Sequence, residues 1–320
     1  MQNKIFIIEK NFDCKFPKNL IRRIKMSVLE ILNISNGPSQ VSATFNSIKF
    51  EHISHKKISE IQEGSWLLIP NGDYFSVLKK ILLSKRKFKV AIGPNVAISS
   101  QRDLESIFNN PSFKFLVPSE WVENYFTERN YIPPQQMEVW KAGVDIERWS
   151  PSRKNKKRQI LIYVKGNEDP NQLKQITSWV DSYDYVCKVI RYGKYSQRRF
   201  RKICSQASGA IWIGITESQG IALAQAWAMD VPTLVRRVDK FTDSEQFVIS
   251  ASSAPYLTEE TGRFSIESSI TKMEVTQFLQ SLNQFNPREW VKKNCTIEKS
   301  IYELEQIYMG MINEDEIIIS

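Results

Sequence analysis

Apolar residues come along this chain in short runs that alternate with longer, spaced patterns. KIFIIE, SWLLIP, FKVAIG and KFLVPS occupy the first half, and QILIYVK, YVCKVIRY, AIWIGI and PTLVRR the second. Runs this short, rich in Ile, Val, Phe and Tyr, read as buried strands. Between them NLIRRIKMSVLEIL, YFSVLKKILLSK, SEWVENYFTER, PNQLKQITSWVDSY, SQRRFRKICSQA and GIALAQAWAM place apolar residues at helical spacing. Strands alternating with helices predict βαβ units and parallel sheets.

The polar, basic stretch WSPSRKNKKR, residues 149–158, contains Pro151 and reads as an exposed linker. It predicts two Rossmann-like parallel-sheet domains, 1–148 and 149–320, each about the size of one doubly wound α/β domain. Two such domains face each other across a cleft lined by strand carboxyl ends, where α/β folds bind ligands. Near the end, SSAPYLTEETGRFS reads as loop. PREWVKKNCTIEKSIYELEQIYMGM reads as one or two closing helices, the last expected to pack back towards the first domain.

Composition narrows the class. The 320 residues are 42% hydrophobic and include eight Trp, enough to build a core and exclude a disordered chain. The Trp residues at 121, 140, 149, 179, 212, 227 and 290 are expected in core and interdomain packing. No apolar run approaches the roughly 18 residues of a membrane-spanning helix. The amino-terminal IFII is too short for a secretory signal. Four scattered cysteines without a CxxC pair argue against a structural zinc site and fit a reducing compartment. The expected location is therefore the cytoplasm.

The net charge of +9 divides into +6 over residues 1–148 (21 basic, 15 acidic) and +3 over the rest (23 and 20). It is densest in KKILLSKRKFK, Lys79 to Lys89. A solvated helix face explains it most simply. Contact with an anionic membrane surface, at the inner face of the membrane, is the second reading. Nucleic acid is the last, because none of the usual modules is visible.

Most conventional catalytic patterns are missing: there is no GxSxG elbow, Walker loop or GxGxxG fingerprint. His52 and His55, in HISH, are the only histidines and read as a surface loop rather than a metal pair. Asp243 and Glu245 read as a solvated acidic turn. The candidate chemistry lies in TESQGIALAQAWAMDVP, Thr216 to Pro232, which follows the strand AIWIGI. Packing requires no glutamate at a strand-to-helix turn. Thr216, Glu217, Ser218 and Gln219 form that turn, and Gly220 lets the backbone approach a ligand. Free N–H groups of Gly220, Ile221 and Ala222 at the helix start suit a phosphate. Glu217, set further along, suits sugar hydroxyls. Phosphate beside hydroxyls describes a nucleotide sugar.

These residues resemble the donor-binding motif of retaining glycosyltransferases of GT-B architecture, family 4 type. That motif is a glutamate, seven residues and a second glutamate, then a helix and a small-x-Pro strand start. EVWKAGVDIERWSP, Glu138 to Pro151, resembles the family's interdomain crossing. VPSEWVENYF, Val117 to Phe126, resembles the strand and helix before it, and ASSAPYLTEETG, Ala251 to Gly262, the loop after the donor site. The likeness runs from about Ala91 to the carboxyl terminus; residues 1–90 match in pattern only.

The resemblance implies sugar transfer from a nucleotide diphosphate sugar to a glycan or lipid-linked acceptor, with retention and without a metal or other cofactor. It implies that Lys165 holds the diphosphate and that Glu217 positions the sugar. Gln225 stands where the ribose-binding second glutamate is expected. Asn95, in AIGPNVA, stands near the family's cleft histidine and is carried over by position only. Pro170 falls where a second phosphate-binding cation is expected, with Lys174 as a substitute. The glycine-rich loop usual after the first strand is missing from IFIIEKNFDCKFPKN. Two alternatives share the architecture. One is a hydrolysing nucleotide-sugar epimerase. The other is a non-catalytic nucleotide-sugar- or glycan-binding partner subunit, which the departures favour.

Overall fold

The computed structural model describes residues 5–9, 50–71, 74–95, 110–151, 157–166 and 169–311. The expected helix NLIRRIKMSVLEIL and the loop that follows Glu9 lie outside these residues. The chain forms two compact units. Among the described residues, the first holds Ile5–Glu9, the chain from Phe50 to Lys141, and the chain from Ser300 onward; the second holds Ala142–Lys299.

The first unit contains β1 (Ile5–Glu9), β2 (Phe50–Ser54), β3 (Trp66–Asn71), β4 (Lys89–Asn95), β5 (Phe113–Val117) and β6 (Met137–Val139), with α1 (Tyr74–Leu83) and α2 (Glu120–Glu128). Its strands make one sheet in the order β2-β1-β3-β4-β5-β6. Every pairing is parallel. Leu67 and Val90 on one face and Leu68 and Ala91 on the other are fully buried, as a sheet covered on both faces requires.

The second unit contains β7 (Gln159–Val164), α3 (Pro170–Asp181), β8 (Val186–Arg191), α4 (Gln197–Cys204), β9 (Gly209–Ile213) and α5 (Ile221–Ala228). It continues with β10 (Thr233–Val235), β11 (Lys240–Thr242), β12 (Val248–Ser250), β13 (Gly262–Phe264), α6 (Lys272–Gln280) and α7 (Pro287–Asn294). Its main sheet, also fully parallel, runs β13-β10-β9-β7-β8. β11 and β12 form a separate antiparallel pair.

Alternation along the central strands builds two core layers. Leu161, Tyr163 and Trp212 face a layer with Leu223 and Trp227 of α5, and Tyr163 stacks on Trp212 at 3.9 Å. Ile160, Ile162, Ile211 and Ile213 face the other, with Ile176 and Val180 of α3 and Phe278 of α6. Helix starts carry side-chain caps: Asp169 for α3, Ser196 for α4, and a Thr271–Glu274 capping box for α6.

The closing segment forms two helices, α7 and α8 (Ile297–Gly310), parted at Cys295. Ahead of the break, Gly143 and Val144 run beside it: Val144 N–H donates to Cys295 O at 2.9 Å. From Ser300 the chain is part of the first unit. There Trp140 Nε1 donates to Ser300 O at 2.8 Å, and Tyr308 Oη donates to Leu67 O at 2.6 Å while stacking on Trp66. Trp149 is instead buried in the second unit's core against Phe200.

Two expectations are corrected. HISH is not a surface loop: His52 lies in β2, and His55 opens a 3-10 turn and is buried. β2, β6, β13, the β11–β12 pair and α6 are additional to the predicted elements. Asp243 forms a turn between β11 and β12, its Oδ1 accepting the N–H groups of Glu245 and Phe247. Among the described residues no helix is long and apolar enough to cross a membrane.

Candidate functional site

The order of the second sheet reverses between β7 and β9: the chain from β7 goes outward to β8, then returns to β9 and on to β10. Ligands of open α/β sheets bind at the carboxyl ends of strands beside such a switch point. Lys165 follows β7 directly, and its N–H extends the ladder to Ile213 O at 2.9 Å. Gly214 to Gly220 follow β9. This loop is fastened from a distance, since Glu217 N–H donates to Ser252 O at 2.8 Å.

These two loops bring together residues far apart in sequence. Lys165 Nζ lies 2.6 Å from Glu217 Oε2, with 18% and 13% of the respective side chains exposed. Tyr192, which follows β8, places its ring 5.0 Å from the same Nζ. Burial pushes the Glu217 carboxyl above its usual range, and the Lys165 ammonium opposes that rise. A largely desolvated ion pair is thus held at the switch point.

Gly220 caps α5 with φ 71° and ψ 41°, a left-handed conformation that favours glycine. A Cβ there would also press on Leu223 Cδ1 at 3.2 Å. The first-turn N–H groups of α5 lack intrahelical acceptors by helix geometry. Among the remaining sequence-predicted residues, Thr216, Ile221 and Ala222 are half-buried, Ser218 is exposed, and Gln219 and Gln225 are buried. Gln219 Nε2 is enclosed without a hydrogen-bond partner.

Lys174 lies exposed on α3, and Pro170 occupies that helix's first turn behind the Asp169 cap. Asn95 ends β4 in the first unit; its side chain is outside the described residues. Sequence reasoning missed Tyr192 and Arg236. Both directly follow strands of this sheet, the one signal that could have found them. Arg236 comes after β10, and its Nη2 donates to Gly214 O, at the start of the Glu217 loop.

Chemically, an ammonium and unsatisfied amides beside a switch point can hold an anion, and a buried carboxylate can accept hydrogen bonds from hydroxyls. Among the described residues no cluster of three or more His, Cys, Asp or Glu side chains could hold a metal ion.

No protein-family model and no curated protein matches the sequence. Solved structures do. A glycosyltransferase from Rickettsia africae ESF-5 superposes with TM-score 0.60 at 10% identity, covering 97% of this chain and 98% of that one. The apo form of the lipopolysaccharide outer core galactosyltransferase WaaB gives TM-score 0.53 at 9% identity, covering 97% and 100%. TarM gives 0.50 at 11% identity, over 79% of this chain and 57% of its own. At such identities the likeness is one of fold: two parallel-sheet α/β units of the GT-B glycosyltransferase architecture.

Proposed function

We propose that this protein is a retaining glycosyltransferase that moves a sugar from a nucleotide diphosphate sugar to a glycan or lipid-linked acceptor. The observation that carries the reading is the buried Lys165–Glu217 pair at the β7/β9 switch point, beside the glycine-capped start of α5. A phosphate draws on the amides and on Lys165, while Glu217 is left to accept hydroxyls of the sugar. The fold it shares with the glycosyltransferases above supports the same class.

The step balances without a metal. The bond between the anomeric carbon and the leaving phosphate oxygen breaks. The acceptor oxygen bonds to that carbon on the same face, and its proton passes to the leaving phosphate. Glu217 positions the sugar and is not the nucleophile. Replacing Glu217 with Ala is expected to lower turnover by about 100-fold or more, the scale of losing one positioning or electrostatic group. A loss of less than about threefold would remove Glu217 from this role. Turnover that persists in excess EDTA is the expected sign of metal independence.

A non-catalytic binding subunit is the second reading, favoured by the buried, neutral Gln225 where a glutamate is expected. It predicts retention of nucleotide sugar with no product. An anionic membrane surface is proposed as a further partner. Leu83 is 70% exposed at the end of α1, and Lys79, Lys80, Lys85 and Lys87 are exposed along the same segment.

A further inference from the structure

Three arginines of the second unit show how a structural guanidinium is held in this fold. Arg288 donates to three carbonyl oxygens, those of Trp149, Ala228 and Ile146. Arg237 donates through Nε to Ser265 O at 2.9 Å and lies over the Phe264 ring. Arg263 donates to Ser281 Oγ at 2.7 Å and lies over Phe285.

Arg236 is held differently. Its backbone is fixed on both sides: its N–H donates to Trp212 O at 2.8 Å, and its carbonyl accepts Ser253 Oγ at 2.6 Å. Its half-buried guanidinium makes a single hydrogen bond, Nη2 to Gly214 O. Nε is enclosed with no partner, and no carboxylate among the described residues pairs with it. Burial alone draws its pKa below the ordinary arginine value, with no anion to oppose it. A partly desolvated cation without a counter-ion is costly, and the cost is recovered when a ligand brings the anion.

Its position says which ligand. Arg236 leaves the carboxyl end of β10 on one flank of β9, while Lys165 leaves the carboxyl end of β7 on the other. The loop between them carries Gln219, only 8% exposed, whose Nε2 is a second enclosed donor without an acceptor. Two unsatisfied donors, one of them charged, on loops leaving the same end of adjacent strands call for an acceptor-rich anion.

We infer that Arg236, together with Gln219, forms a phosphate-binding subsite that takes the diphosphate of the donor beside the Lys165–Glu217 pair. The inference rests on the donor reading above and adds a second cation to Lys165.

The test is calorimetric titration of the full chain and its Arg236→Gln and Arg236→Lys variants with UDP, GDP, ADP, their nucleosides and inorganic pyrophosphate. For the nucleoside diphosphate that binds, Arg236→Gln is expected to weaken affinity by about 10- to 100-fold, with partial recovery in Arg236→Lys. Affinity for the matching nucleoside should stay within about twofold, since no phosphate is involved. Arg236→Gln should melt no lower than the wild type, because it removes an uncompensated charge; Arg236→Lys, which keeps the charge, decides the matter if it does.

Nucleoside diphosphate binding by Arg236→Gln within about twofold of the wild type would overturn the inference and leave the donor reading standing. Arg236-dependent binding of pyrophosphate without binding of any nucleoside diphosphate would keep the phosphate subsite and remove the nucleotide donor. Binding of neither would overturn both.

Discussion

Replacing Lys165 with Met keeps the aliphatic stem and deletes the charge that compensates Glu217. The two groups are 2.6 Å apart, with 18% and 13% of their side chains exposed. Removing one partner of a buried pair costs about 3–5 kcal/mol; the residual exposure here places the loss near the lower end, about 3 kcal/mol. At about 2–4 °C per kcal/mol for a domain of this size, the second unit should melt about 6–12 °C lower at neutral to alkaline pH. The loss should depend on pH, and its sign follows from Glu217. Burial already raises that carboxyl in the folded state, and Lys165 restrains the rise. In the variant the folded value moves higher still. Below the ordinary glutamate pKa, about 4.3, the carboxyl is protonated whether folded or not, and only packing is lost. Between that value and the raised folded value the unfolded chain has released a proton that the folded chain keeps, and above it the folded chain buries a carboxylate without its ammonium. The melting gap between wild type and variant should therefore widen with pH. Scanning calorimetry from about pH 4.5 to 8.5 on the wild type, Lys165→Met, Glu217→Gln and the double variant measures this directly. The double variant, with no charge left to bury, should recover most of the loss at alkaline pH. A gap that stays constant across pH, or a Lys165→Met protein as stable as the wild type at about pH 8, would refute the coupling.

Other outcomes can be checked independently. Gly262→Ala should destabilise the second unit by more than about 2 kcal/mol in chemical denaturation, since its φ is 155° and a Cβ would overlap Thr233 O. Tyr308→Phe should lower the stability of the first unit by about 1–2 kcal/mol through loss of the enclosed bond to Leu67 O; no change would mean that this hydroxyl contributes nothing net to holding the helix. The chain should co-sediment with anionic phosphatidylglycerol vesicles at low salt and be released at high salt, and Leu83→Glu should weaken that binding. Equal binding to neutral vesicles would remove the basic segment as its cause.

The strands and helices around the site were legible because central parallel strands are continuous apolar runs, as in QILIYV, whose six residues are all buried in β7. The loop carrying Glu217 was legible because a glutamate between strand and helix has no packing role, and a glycine beside it suits the left-handed helix cap found there. What fails in sequence is distance. Tyr192 and Arg236 differ in no local way from other loop residues, and only the strand order sets them at the same end of the sheet as Lys165. Short elements also escape. β11 and β12 have three residues each, too few to show alternation, and most of their residues are exposed. HISH reads as loop because two histidines break the apolar run, whereas parallel pairing with β1 holds its first three residues as strand. α6 carried a readable start, Thr271 followed three positions later by Glu274, and the structure shows both halves of that capping box formed.

The most direct test of donor binding is thermal stabilisation across UDP, GDP, ADP and their sugars, with and without magnesium, for the wild type and Glu217→Ala. A donor site of the proposed kind gives a shift with one base, independent of magnesium. In Glu217→Ala that shift is lost for the sugar form and kept for the bare diphosphate. Absence of any shift at concentrations above about 1 mM, where even a weak site would be occupied, would contradict the donor site and with it the proposed glycosyl transfer.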